Sequence, residues 1–125
     1  MITDETDKLL RRTKRFALAV IAFCRELDKS REARIIGDQL LRAGTSVAAN
    51  YRAACRGRSR AEFIAKLGIV VEEADEVLFW CELLQESGTG AHDQIKTLMA
   101  EINELLSIFS ASLRTARMRS KSRSL

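Results

Sequence analysis

Residues 63–84 read FIAKLGIVVEEADEVLFWCELL, and within them Phe63, Leu67, Val70, Ala74, Val77, Cys81 and Leu84 recur at alternating steps of four and three. That spacing lays these side chains in one stripe down an α-helix; a strand, whose faces repeat every two residues, would scatter them to both sides. Ile64, Val71, Leu78 and Trp80 widen the stripe, so the helix expected over about residues 60–86 carries apolar surface for two interfaces. Ser59, with Glu62 at the third position after it, opens the helix as a capping box. The serine oxygen accepts a leading amide and the glutamate reaches back to the serine's own amide.

The same period continues in both directions. Upstream, Leu9, Thr13, Phe16, Val20, Phe23 and Leu27 mark a first helix over about 4–27, and Asp28, Lys29 and Ser30 interrupt it. Ile36, Leu40, Ala43, Val47 and Ala54 then carry a second helix over about 31–56, up to Gly57. Downstream, Gly88 and Gly90 supply positive-φ positions for a sharp reversal, and Ile95, Leu98, Ile102, Leu105 and Phe109 carry a fourth helix over about 92–117. Residues 118–125 alternate basic residues with serine and read as a short disordered tail. Connections this short make each helix antiparallel to the one before it. The expected fold is therefore all-α, an up-down-up-down four-helix bundle forming one domain over 1–117.

Composition agrees with that reading. None of the 125 residues is proline, which long helices exclude from their interiors and loop-rich folds use freely. Cys24, Cys55 and Cys81 are odd in number and widely separated within apolar helical stretches, so they read as free core thiols in a reducing cytoplasm. The first residues are acidic and polar, unlike a secretory signal, and no apolar run approaches the ~18 residues a membrane span needs.

The formal net charge of +4 is unevenly placed. Arg114, Arg117, Arg119, Lys121 and Arg123 end the chain with no acid among them. Lys8, Arg11, Arg12, Lys14 and Arg15 cluster early in the first helix, and Arg52, Arg56, Arg58 and Arg60 cluster around the second connection. In the expected topology all three groups lie at one pole, with Glu82, Glu86 and Asp93 at the other. A pole of that kind can neutralise a polyanion such as RNA or DNA, which scattered cations would not.

Arg42, Ser46 and Asn50 stand four apart and form a polar row on the second helix, beside the small residues Ala43, Gly44, Ala48 and Ala49. Glu72, Glu73, Asp75 and Glu76 lie at the matching height of the third helix. A carboxylate there can pair bidentately with Arg42 while Asn50 bonds across the seam, fixing register more than adding stability. The same acids could bind metal, but His92 is the only histidine and no Glu-x-x-His pair occurs. Ser46 and Cys81 likewise lack a histidine base, and Gly88-Thr89-Gly90 follows a helix without a phosphate-loop lysine. No catalytic residue, metal, cofactor or small-molecule substrate is expected. Trp80 and Phe79 read as core or subunit-interface residues, and Tyr51 as buried or as a base-stacking ring near the basic pole.

Residues 39–52, QLLRAGTSVAANYR, followed by SRAEFI at 59–64 and EEADE at 72–76, resemble a known family. It is the bacterial four-helix-bundle proteins encoded by intervening sequences of 23S ribosomal RNA genes, the S23-type proteins. The resemblance is strongest over 36–86. It implies a homo-oligomeric bundle, typically a ring of five subunits. It also implies kinship with the accessory variability proteins of diversity-generating retroelements, which bind a reverse transcriptase and nucleic acid through a basic surface. Ala53 and Ala54 stand where members often carry glutamate followed by glycine, so the second helix should run on further than usual.

The function expected is thus non-enzymatic: a cytoplasmic homo-oligomer that binds RNA or a nucleoprotein partner through the clustered arginines. The alternative is a protein adaptor, such as a reverse-transcriptase accessory subunit, that uses the broad apolar face of the third helix.

Overall fold

The computed structural model describes residues 3–124, and the side chains of 3–122. These form α1 (Asp4–Glu26), α2 (Arg31–Cys55), α3 (Arg60–Glu86) and α4 (His92–Ser124), with no strand among the described residues. Each of the first three helices begins at a hydroxyl cap. Thr3, Ser30 and Ser59 accept from the amides of Thr6, Ala33 and Glu62, satisfying donors the first turn leaves open. The Glu62 carboxylate reaches back as the capping-box pattern requires, but takes the amide of Arg58 at 2.9 Å, one residue before the one expected. Gly88 and Gly90 adopt φ of 70° and 86°, and their turn reverses the chain between α3 and α4.

The stripes read from the sequence are buried except at Leu9, Ile36 and Phe63, which are half-buried. Val20, Leu40, Val47, Leu67, Val70, Val77, Leu84, Ile102, Leu105 and Phe109 are wholly removed from solvent at the bundle axis. Thr13 is buried among them, and its hydroxyl donates to the carbonyls of Leu9 and Leu10 at 2.9 and 3.1 Å; among the described residues no buried side-chain polar atom is left without a partner. Helices packed in sequence order form a closed square, α1 against α2, α2 against α3, α3 against α4, and α4 back against α1. The diagonal pairs stay apart. Small residues set the spacing at α1–α2, where a Cβ on Gly44 would lie 3.0–3.2 Å from three atoms of Val20.

α4 continues as helix through Ser124 instead of ending near Arg117, so the stretch read as a tail belongs to the helix. Residues 111–124 contain neither glycine nor proline, and Leu113 and Ala116 still pack against α3 at that level. Once a helix is nucleated and docked, nothing in such a segment stops its propagation. The Arg123 side chain lies outside the described residues. Among the described residues no helix is long and apolar enough to cross a membrane.

A crowded and an open glycine give a stability test. Gly44→Ala forces its methyl against the stem of Val20 and should cost about 1–3 kcal/mol in urea unfolding. Gly68→Ala meets nothing within 4 Å and should stabilise the helix by up to about 1 kcal/mol.

Candidate nucleic-acid interface

Antiparallel packing places the start of α1, the α2–α3 connection and the end of α4 at one end of the bundle. The register is visible in cross-helix partners. Arg60 and Phe63 line a hollow of about 390 Å³ with Ser112, Thr115, Ala116 and Arg119 of α4. Thr6 and Leu9 share another with Tyr51, Gly57 and Phe63. Arg52, Arg56 and Arg58 are exposed around the connection and Arg60 is half-buried; Arg114, Arg117, Arg119 and Lys121 are exposed along the last turns of α4. On the outer side of α3 and α4 a groove of about 630 Å³ has an apolar floor of Ile64, Val71, Leu113 and Met118. Arg114, Arg117 and Lys121 form its rim. None of these cations is in an ion pair among the described residues, so their field is not spent internally.

The α1 cluster behaves differently. Arg12 turns away from the end and clasps α4, its Nε and Nη2 donating to Glu101 at 2.7 and 2.8 Å, with Glu104 at 3.0 Å from Nη2. Those hydrogen bonds, chiefly to Glu101, hold its guanidinium more firmly protonated than usual. The clasp closes the α1–α4 seam, the sparsest of the four. Arg11 is held by Asp7 at 2.8 Å on the exposed face, and the tip of α1 is acidic with Asp4, Glu5 and Asp7. Lys14 and Arg15 are exposed farther along α1, toward the middle of the bundle. The sequence reading brought three basic groups to one surface; the structure joins two of them there and directs the α1 group to its own flank.

The polar row also divides. Arg42 pairs with Glu73, both carboxylate oxygens at 3.3 Å from Nη1, and with Glu76 through Nη2. Asn50 bonds within its own helix, donating to the Ser46 carbonyl at 3.0 Å and hydroxyl at 2.8 Å, so it does not cross the seam. Glu72 and Asp75 face solvent outside the network. Trp80 donates from Nε1 to Glu76 at 3.1 Å, and that bond first, Arg42 second, holds the Glu76 carboxyl below the usual glutamate range. Tyr51 is buried with its ring centroid 4.8 Å from that of Phe109, so it packs in the core and does not stack a base. Burial pushes the Cys24 and Cys81 thiols up to about 11 and 12, leaving them protonated and inert at neutral pH.

The Arg12 clasp was not read from the sequence, because Glu101 and Glu104 are exposed-type residues on a helix 89 positions away for the nearer pair. The sole advance signal was that Arg12 flanks the core stripe at Thr13 and Phe16.

A depressed carboxyl pKa stabilises the fold above the unfolded glutamate value and loses that contribution as pH falls through the folded value. The Tm of the wild-type protein should therefore drop on acidification below about pH 4 by more than that of Glu76→Gln, which keeps an acceptor for Trp80 without the charge. Equal Tm–pH profiles would remove Glu76 from the network.

A model of the 23S rRNA-intervening sequence protein family matches residues 5–111. Among solved structures, the chain is similar to a protein of unknown function from the S23 ribosomal protein family of Bacteroides thetaiotaomicron, at 28% identity and a TM-score of 0.80. The match covers 87% of this chain and 97% of that one. No curated protein matches the chain. The basic end of α4, from Arg114 onward, lies beyond the stretch the family model matches.

Proposed function

The chain belongs to the 23S rRNA-intervening sequence protein family, and from that membership we propose a non-enzymatic, self-associating bundle that binds RNA where the α2–α3 connection meets the end of α4. The observation that supports this reading is the unneutralised charge at that end. Arg52 comes from the last turn of α2, Arg56 and Arg58 from the connection after it, Arg114, Arg117 and Arg119 from one helix end, and none has a carboxylate partner among the described residues. Arginine presents a planar fork that matches phosphate oxygens, and several forks on one rigid surface act on consecutive phosphates of a strand. Arg52, Arg114, Arg117 and Arg119 stand on helix ends, so little ordering of those positions is required on contact. The acids of the polar row, Glu73 and Glu76, are engaged by Arg42, and the proposal gives them a structural part only. Self-association and a cytoplasmic setting belong to the same proposal.

The test is fluorescence anisotropy with a labelled RNA hairpin across a salt series. Neutralising about five phosphates gives a slope of log affinity on log salt of about −3.5 to −4.5. The variant R56E/R58E/R60E should lose at least about tenfold in affinity and flatten that slope while keeping the wild-type helicity and assembly mass. Failure to bind at low salt, or an affinity indifferent to the reversal, would reject the surface.

A further inference from the structure

The hollow shared by the start of α1, the end of α2 and the last turns of α4 has no part in phosphate binding, yet its lining is that of a ligand site. It measures about 400 Å³, within the roughly 300–1,000 Å³ typical of small-ligand pockets. Leu9, Phe63 and Ile108, each half-buried, give it apolar walls. Polar side chains converge on the same space from three helices: Glu5 and Thr6 of α1, Tyr51 and Cys55 of α2, Ser112 of α4. A gap left by imperfect packing is lined by apolar groups, whereas a pocket that orients a ligand carries a few convergent polar ones.

The polar groups offer both donors and an acceptor. The ring of Tyr51 packs on Phe109, and its hydroxyl meets Thr6 and the Cys55 thiol at the hollow. Burial pushes the Tyr51 hydroxyl and the Cys55 thiol up from their ordinary values, so at neutral pH both keep their protons. Glu5 can only accept. It is exposed, and no ion pair holds it among the described residues. The helix dipole favours acid at the start of α1, and Asp4 and Asp7 already supply it. A carboxylate beside a surface for phosphates weakens their hold, so Glu5 at this rim is useful only if it accepts from a donor on the same ligand.

The hollow also adjoins the arginines of that surface. Gly57 forms part of its wall and stands between Arg56 and Arg58, both exposed. A strand with phosphates on those two arginines has a base at the hollow. Proteins read unpaired RNA bases in this way, by their Watson–Crick edges and by contact with their faces.

We propose that the hollow receives one unpaired guanine of the bound RNA, Glu5 accepting from its N1–H and 2-amino group and the hydroxyls of the wall donating to its O6. Guanine presents two adjacent donors on that edge, which match the two oxygens of one carboxylate; adenine, cytosine and uracil each offer a carboxylate a single donor group there. Leu9, Phe63 and Ile108 enclose the faces of the ring. The inference rests on the RNA reading above and names the nucleotide that surface selects.

Fluorescence anisotropy at fixed low salt tests it with one hairpin stem and four loops: all uridine, or uridine with one guanosine, inosine or adenosine. Wild type should bind the guanosine loop about tenfold more tightly than the uridine and adenosine loops, with inosine, which lacks the 2-amino group, in between. Glu5→Gln, an exposed change, should bind all four loops alike and keep the wild-type salt slope. In a Cys24→Ala background, saturating guanosine-loop RNA should slow alkylation of Cys55 by N-ethylmaleimide at least about fivefold more than saturating uridine-loop RNA. Equal affinities of wild type for all four loops, a guanine preference that survives Glu5→Gln, or equal alkylation rates under the two RNAs overturn the guanine pocket and leave the phosphate surface standing. No binding to any hairpin rejects the surface and the pocket together.

Discussion

Burial of the stripe from Leu67 to Leu84 is the interaction the remainder of the molecule answers to. α3 is apolar over so much of its circumference that it is stable only with a helix on each side, and α2 and α4 supply them. Truncating one of these side chains to alanine removes about 2–5 kcal/mol, a large share of the stability of a domain this size. With α2 and α4 docked on α3 through short connections, their directions follow. The connection between α2 and α3 must then lie at the same end as the terminus of α4, and α1, joined to α2 by a short break, completes the square.

Charge is sorted on that frame by distance to an acid. Two arginines beside the helix seams are paired: Arg12 with Glu101 and Glu104 across the α1–α4 seam, Arg42 with Glu73 and Glu76 across the α2–α3 seam. Both clasps hold register where small or sparse packing would let helices slide, the use for which partly buried ion pairs are best suited. Arg52, Arg56 and Arg58 around the α2–α3 connection and Arg114, Arg117 and Arg119 along the end of α4 have no ion-pair partner among the described residues. The basic end of the bundle is therefore the surface whose arginines are not neutralised by a carboxylate among the described residues.

Most of the fold was legible because its signal is local. The spacing in residues 63–84 and the glycines at 88 and 90 act within a few turns, and the helices they forecast agree with those observed to within a residue or so, apart from the end of α4. That end was misplaced because a basic, serine-rich composition was weighed above the absence of any helix breaker, and because Leu113 and Ala116 extend the stripe by spacing alone. The candidate site was legible only as far as topology determines it. Which of two adjacent arginines, Arg11 or Arg12, would face solvent depended on the rotation of α1 against α4 and on Glu101 across the seam. Asn50 had two satisfactory partners, one across the seam and one a turn behind it, and the local one won. Tyr51 lies four residues beyond Val47 and was by spacing already a core position; its aromatic ring near arginines invited a second reading that its contact with Phe109 settles.

The central claim is that chain reversal brings the α2–α3 connection and the end of α4 together and holds the α3–α4 turn far from both. Electron–electron spin distances measure this directly in a chain whose native cysteines are replaced by alanine and whose labels sit in pairs at positions 58, 88 and 119. The account predicts a short separation for 58 and 119, and separations of roughly the length of α3, about 40 Å, for 58 with 88 and for 88 with 119. A long distance between 58 and 119 combined with a short one between 88 and 119 would contradict it.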